Sequence, residues 1–352
     1  MKILAPANSA KEITQLVDTG ADELYCGVIT KSWREKYTNI GSPNRREWSS
    51  ANISGYRELE KIISIAHKSN VFVWMTLNAF YTRAQENIIK QEIQNACNAG
   101  ADGFIVADLG IMHYLQDTGI LKKRKLIVST CAASFNSWSV EFYKRFSPYR
   151  ITLPRQLTLE EIKNIRSRHP DIGLEVFVLN SGCKNIDGFC TFHHGVSEHS
   201  YTKLWNVFKK LNMDMKILEQ QRKHPFLFEQ TNRFIKGVDS ACLLDYKIEI
   251  LSDIKGRGLS KIKSNIRRNF SLYTGIDPCR ACEVSKLIKA GVDIFKIVGR
   301  NYQTSKKVKD IRFLKAAAKL ASGSISKEFE LVVKELFKKI YHYPCAEICY
   351  HR

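Results

Sequence analysis

What the chain lacks narrows its class first. No apolar run approaches the roughly 18–20 residues that a membrane-spanning helix needs. The opening Met1-Lys2-Ile3-Leu4-Ala5-Pro6 is too short an apolar stretch for a secretory signal and meets a proline at once. The expectation is a soluble cytoplasmic protein. No GxGxxG follows the first predicted strand, so a dinucleotide site lacks its usual support. HExxH and GxSxG are absent, which removes the zinc-peptidase helix and the nucleophile elbow. The cysteines do not form the two CxxC pairs of a zinc ribbon. Acidic residues are also scarce, with 35 Asp and Glu against 55 Lys and Arg, a formal net charge of +20.

What is present reads as folded and globular. Apolar residues make up 44% and charged residues 26% of 352, which excludes a disordered chain and allows one large domain or two ordinary ones. The positive excess is spread, but runs occur at Arg45-Arg46, at Lys255 to Arg268 (including Lys261, Lys263, Arg267 and Arg268), and at Lys306, Lys307, Lys309 and Arg312. Such runs are either a solvated basic surface or a footprint for a polyanion such as tRNA or rRNA.

Short apolar strands alternate with helical stretches. Strands are predicted at 3–5, 23–26, 71–77, 103–106, 126–129, 150–153, 174–178 and 294–298. Helices are predicted between them, for instance at 11–19, 56–69, 84–99 and 159–168. A short phrase punctuates the alternation: Gly20-Ala21-Asp22, Gly100-Ala101-Asp102 and Gly291-Val292-Asp293 each precede a strand. Glycine ends a helix in a left-handed turn and Asp leads into the strand. About eight such βα units predict a parallel (β/α)₈ TIM-like barrel, with an open doubly wound sheet as the alternative. The predicted barrel takes residues 1–178 and 291–325. A cysteine-rich insertion, 179–290, falls between the seventh and eighth strands, and 326–352 form a C-terminal helix with a cysteine-containing end. A loop after a barrel strand emerges on the face where barrel enzymes keep their chemistry.

Ten cysteines in a reducing compartment suggest ligation, catalysis or plain burial. Cys26 and Cys97 sit in apolar segments and read as core. Cys183 and Cys190 open the insertion, Cys242 follows, and Cys279 and Cys282 close it. Their spacing alone leaves a metal or cluster site and unpaired thiols both open. Cys345 and Cys349 near the C-terminus read equally as ligands or as a tail with two thiols.

The segment Glu175-Val176-Phe177-Val178 through Cys183 to Cys190 resembles the signature of the peptidase U32 family. Further matches run in order: Leu4-Ala5-Pro6-Ala7, Thr76-Leu77-Asn78, Ala107-Asp108-Leu109-Gly110, Leu153-Pro154-Arg155-Gln156, and Gly291 through Lys296 to Arg300. That family includes collagenase-like proteases and oxygen-independent hydroxylases of RNA bases and of the ubiquinone ring. The resemblance implies a [4Fe–4S] cluster on Cys183, Cys190, Cys242 and Cys279, with Cys282 as a spare, and prephenate as an oxygen donor. It also implies that some members act as paired U32 subunits. Within the matched motifs, Glu175, Asn78, Arg155 and Lys296 are the candidate catalytic residues. Three departures stand out: Leu179-Asn180 replaces the family's His-Gly, Cys131 stands where a Gln is usual, and Val298 where a Glu is usual. The functional expectation is an iron–sulfur hydroxylase of an RNA base or small aromatic substrate. The alternatives are a U32 peptidase and a non-catalytic cluster- or RNA-binding protein.

Overall fold

The computed structural model describes residues 1–36, 42–46, 49–180, 186–189, 245–246, 270–271, 279–321 and 326–345. Eight parallel strands close into a barrel: β1 (Lys2–Pro6), β2 (Glu23–Cys26), β3 (Phe72–Leu77), β4 (Gly103–Val106), β5 (Lys125–Val128), β6 (Arg150–Thr152), β7 (Gly173–Leu179) and β10 (Ile294–Ile297). Closure comes from β10, which pairs with β7 on one side and β1 on the other, both in parallel. The predicted barrel is therefore correct, and the open sheet is excluded. A two-residue antiparallel pair, β8 (Asp245–Tyr246) with β9 (Phe270–Ser271), lies in a separate compact unit of residues 191–274. The barrel unit comprises 1–190 and 275–352.

The helices that follow the strands include α1 (Ile13–Thr19), α2 (Lys31–Lys36), α3 (Tyr56–His67), α4 (Glu86–Asn98), α5 (Leu109–Asp117), α6 (Ser137–Lys144), α7 (Leu159–Arg168), α8 (Val284–Lys289) and α9 (Thr304–Ala321). A last helix, α10 (Ser326–Tyr341), packs on α9. Apolar residues at helical spacing, such as Leu59, Ile62, Ile63 and Ala66 of α3, are buried against the sheet. Side-chain caps fix the helix starts: Asp108 accepts from Ile111 N–H at 3.1 Å, and Thr158 with Glu161 forms a capping box.

The Gly-x-Asp phrase has a shared physical role. Gly20, Gly100 and Gly291 all take positive φ. Each Asp carboxylate then accepts the backbone N–H of the preceding neighbour strand: Asp22 from Ile3 at 2.8 Å, Asp102 from Val73 at 2.7 Å, and Asp293 from Leu174 at 2.8 Å. The same Asp returns its own N–H to that residue's carbonyl. The repeat thus sets strand register at three places around the barrel.

Alternation divides the sheet into two faces. One packs under the helices; the other fills the barrel with Leu4, Tyr25, Trp74, Ile105, Ile127 and Ile294. Trp74 needs room, and Gly103 supplies it. A Cβ there would lie 2.8 Å from the Trp74 ring and would run into the Lys125 carbonyl. Gly103→Ala is expected to destabilise by about 3 kcal/mol, because backbone on one side and a wedged indole on the other cannot give way. Gly55→Ala, with open space around it, is the control. Equal urea midpoints for the two variants would remove the steric argument.

One basic run differs from its sequence reading. Lys307 is buried and ion-paired to Glu12 at 2.9 Å, and Lys306 is held by Asp310 and Asn180. Only Lys309 and Arg312 of that run are exposed. The helix period turns two of the four positions inward. The run at 255–268 lies outside the described residues.

Candidate functional site

The barrel interior is charged where barrels are commonly aliphatic. Glu23, Arg150, Glu175 and Lys296 project inward from β2, β6, β7 and β10, all nearly or fully buried. Arg150 Nη2 lies 2.6 Å from Glu23 Oε2, and its Nε donates to Glu175 Oε2 at 2.7 Å. Lys296 Nζ and the Thr152 hydroxyl both donate to Glu175 Oε1, at 2.8 and 2.9 Å. Trp74 Nε1 donates to Glu23 at 2.6 Å, and the Arg150 guanidinium lies 5.0 Å from the indole. Two carboxylates and two buried cations therefore form one network, with half-exposed Lys2 lying 3.7 Å from Glu23 at its edge. Burial by itself raises the Glu175 carboxyl, but Lys296 and Arg150 outweigh it and hold the group below the ordinary glutamate range.

Above this network, toward the C-terminal ends of the strands, the mouth is aromatic and cationic. Lys296 Nζ sits 4.7 Å from the Tyr25 ring and 5.6 Å from the Phe177 ring. The Arg155 guanidinium covers Phe177 at 3.8 Å and is fixed by Asp187, which accepts both the Arg155 backbone N–H at 2.9 Å and Nη1 at 2.5 Å. Tyr25 donates to the Ile297 carbonyl at 3.1 Å, and burial pushes its phenol up to about 12. Arg300 lies over β2 and β3, donating to Thr76 Oγ1 at 2.8 Å and to Asn44 Oδ1 at 2.9 Å. Asn78 follows Thr76 at the end of β3, and its shielded Oδ1 has no hydrogen-bond partner among the described residues. An amide oxygen left this way is an acceptor available to a bound donor.

Cys279 is the cluster candidate that the described residues include. It is buried, and its backbone bridges Leu179 at the end of β7. Arg280 N–H donates to the Val178 carbonyl at 2.9 Å, which pins this segment to the strand. The Cys279 sulfur accepts the Ala281 N–H at 3.4 Å. An N–H directed at a sulfur is the kind of outer contact that commonly supports a ligating side chain. In that respect the residue fits a metal ligand. Cys183, Cys190 and Cys242 lie outside the described residues, as does Cys349. Among the described residues no three His, Cys, Asp or Glu side chains form a metal-holding group. Cys282 and Cys345 are half-buried against the core.

The candidate set divides by depth in the barrel. Glu175 and Lys296 touch each other; Arg155 shares Phe177 with Lys296; Asn78 stands across the mouth. Arg150, Glu23 and Tyr25 were not among the sequence candidates. The signal for them was the two-residue alternation, which places Arg150 on the face of Thr152 and Tyr25 on that of Glu23. Val298, at the family's Glu position, is buried and hydrogen-bonds through its backbone. Cys131 is half-buried beyond β5, and its N–H donates to Ser129 Oγ at 3.2 Å. His67 pairs with Asp102, which precedes β4 at the end of the barrel opposite Cys131.

A closed parallel barrel with its aromatic and cationic groups at the strands' C-terminal ends has the layout in which barrel enzymes hold their chemistry. The chain belongs to peptidase family U32, whose model matches residues 8–223. It is similar to an uncharacterized protease of Methanocaldococcus jannaschii, 24% identical over 88% of this chain and 74% of that protein. It is also similar to tRNA hydroxylation protein P of Escherichia coli, 24% identical over 54% of this chain and 38% of that protein. A collagenase of Porphyromonas gingivalis is 23% identical over 54% of this chain and 44% of that protein. The matches thus span under half the length of the last two relatives. A solved U32 peptidase structure aligns over 51% of this chain and 68% of that one, at 18% identity and a TM-score of 0.39. Among the described residues no helix is long and apolar enough to cross a membrane.

Proposed function

We propose that this chain is an iron–sulfur hydroxylase that modifies an RNA base without dioxygen. The observation that carries the reading is the mouth built by Arg155, Phe177, Tyr25 and Lys296. A guanidinium stacked on an aromatic ring beside a buried ammonium suits a flat polar ring attached to a polyanion. Asn78 Oδ1 supplies an acceptor for a base N–H. The similarity to proteins named for tRNA hydroxylation supports the same substrate class.

Cys183, Cys190, Cys242 and Cys279 would hold a [4Fe–4S] cluster, with Cys282 as the spare. Leu179, which Cys279 bridges, is four residues from Cys183, a span of at most about 14 Å. When bound, such a cluster supplies redox and Lewis-acid chemistry that side chains cannot. The chain's own groups bind and orient. Lys296, Arg155 and Arg300 provide positive charge for an anionic oxygen donor such as prephenate; burial lowers the Lys296 pKa, and Glu175 opposes that lowering and holds the ammonium in place. A paired U32 subunit could complete the assembly.

The test is anaerobic purification with iron and sulfide analysis, then incubation with unmodified tRNA and rRNA plus prephenate. Nucleoside mass spectrometry should show a base heavier by one oxygen. Binding to the RNA should weaken steeply with salt, as counterion release requires. Cleavage of collagen or peptides by iron-free protein would favour the peptidase reading. Iron with RNA binding but no modified base would favour a non-catalytic role.

A further inference from the structure

Asn180 closes β7 at φ +66°, a left-handed conformation that most side chains avoid and Asn tolerates. A glycine would satisfy that backbone equally well. The Asn amide does something a glycine cannot. Its Nδ2 donates to the Val298 carbonyl at 2.9 Å and to Asp310 Oδ2 at 2.7 Å. Its Oδ1 accepts from Lys306 Nζ at 3.0 Å, and Lys306 also reaches both Asp310 oxygens at 3.2 Å. The remaining contact comes from the far end of the chain. Tyr341, in the last turn of α10, donates to Asp310 Oδ1 at 2.5 Å. Its ring is fixed by stacking on Phe337 at 4.3 Å and by an edge contact with Phe313 at 5.5 Å.

These four groups meet at one point, the end of β7. Leu179, one residue earlier, carries the backbone bridge to Cys279. Asp310 is buried, so losing the Tyr341 hydroxyl would leave its Oδ1 with Lys306 alone, at 3.2 Å, in place of its shorter bond. We propose that Tyr341 is a positioning residue: through Asp310 and Asn180 it fixes the end of β7 against the Cys279 segment. Helix α10 is thereby part of the site's scaffold, although Asp310 and Tyr341 both lie beyond the matched residues 8–223. The placement of β7 stands on the geometry alone; the consequence for the cluster rests on the function proposed above.

Tyr341→Phe removes the hydroxyl and keeps the ring. Phe337→Leu loosens the same aromatic cluster and keeps the hydroxyl. In hydrogen exchange, Tyr341→Phe should speed the amides of 177–180 and 279–281 while leaving β4 unchanged. In anaerobically loaded protein it should also raise the rate of iron loss to a chelator about tenfold, the usual size of an outer-shell effect. The electron paramagnetic resonance spectrum of the reduced protein should shift as well. Phe337→Leu should lower the melting temperature and shift the spectrum less than Tyr341→Phe does. If Tyr341→Phe leaves exchange at 177–180 unchanged, or Phe337→Leu shifts the spectrum equally, the proposal fails. Wild-type protein that holds no iron overturns the cluster reading, and exchange at 177–180 then still decides whether Tyr341 positions the strand.

Discussion

Glu175→Leu is expected to destabilise the fold by about 3–5 kcal/mol, because it strands two buried cations. Glu175 accepts from Arg150, Thr152 and Lys296 inside the barrel, and no water can replace it at a fully buried position. Arg150 retains Glu23, so the larger share of the loss falls on Lys296. Glu175→Leu combined with Lys296→Met should recover a good part of it, since a neutral pair of similar volume removes the uncompensated charge. The pH dependence has a definite sign. The folded-state pKa of Glu175 is depressed, so its contribution is fully present above the unfolded value of about 4.3 and is lost as pH falls through the folded value. Acid unfolding of the double variant should therefore lack part of the wild-type slope below about pH 4. Urea midpoints measured across pH check both statements. A Glu175→Leu midpoint equal to wild type, or no recovery in the double variant, would sink the argument.

The barrel was legible in the sequence for a physical reason. Its strands are covered by helices on one side, so they read as short apolar runs, and the Gly-x-Asp phrase marks where three of them begin. The interior network was less legible. Glu23, Arg150, Glu175 and Lys296 are charged residues within strands, and sequence alone cannot tell an inward charge from a solvated one. Only closure brings β2, β6, β7 and β10 around one axis. Arg300 shows the same limit: its partner Asn44 is 256 positions away in the chain. Asn180 was visible as a departure from the His-Gly of the resemblance, yet its partners Asp310 and Tyr341 belong to helices that no local pattern joins to β7. The family resemblance, not the spacing, pointed to Cys279, and the antiparallel bridge to Leu179 supplies the reason that it lies where it does.

Cys279→Ser tests the cluster at the one of the four implied ligands, Cys183, Cys190, Cys242 and Cys279, that lies among the described residues. The wild-type chain, purified without oxygen, is expected to carry about four irons and matching sulfide. Serine keeps the size of the side chain and can still accept the Ala281 N–H, so the bridge to Leu179 persists. The structural loss should stay near 1–2 kcal/mol, as for other modest buried substitutions. Iron content and the brown visible absorption should nevertheless fall to near zero, because an alcohol is a poor ligand where a thiolate is required. Cys131→Ser should retain both, since Cys131 sits beyond β5 and outside the proposed ligand set. Cys282→Ser separates the two neighbours. If it strips the iron while Cys279→Ser does not, the ligand is Cys282 and the bridge at Leu179 serves only to anchor the Cys279 segment to β7. If iron survives in both variants, neither thiol holds it, and the assignment of a cluster to this end of β7 is wrong.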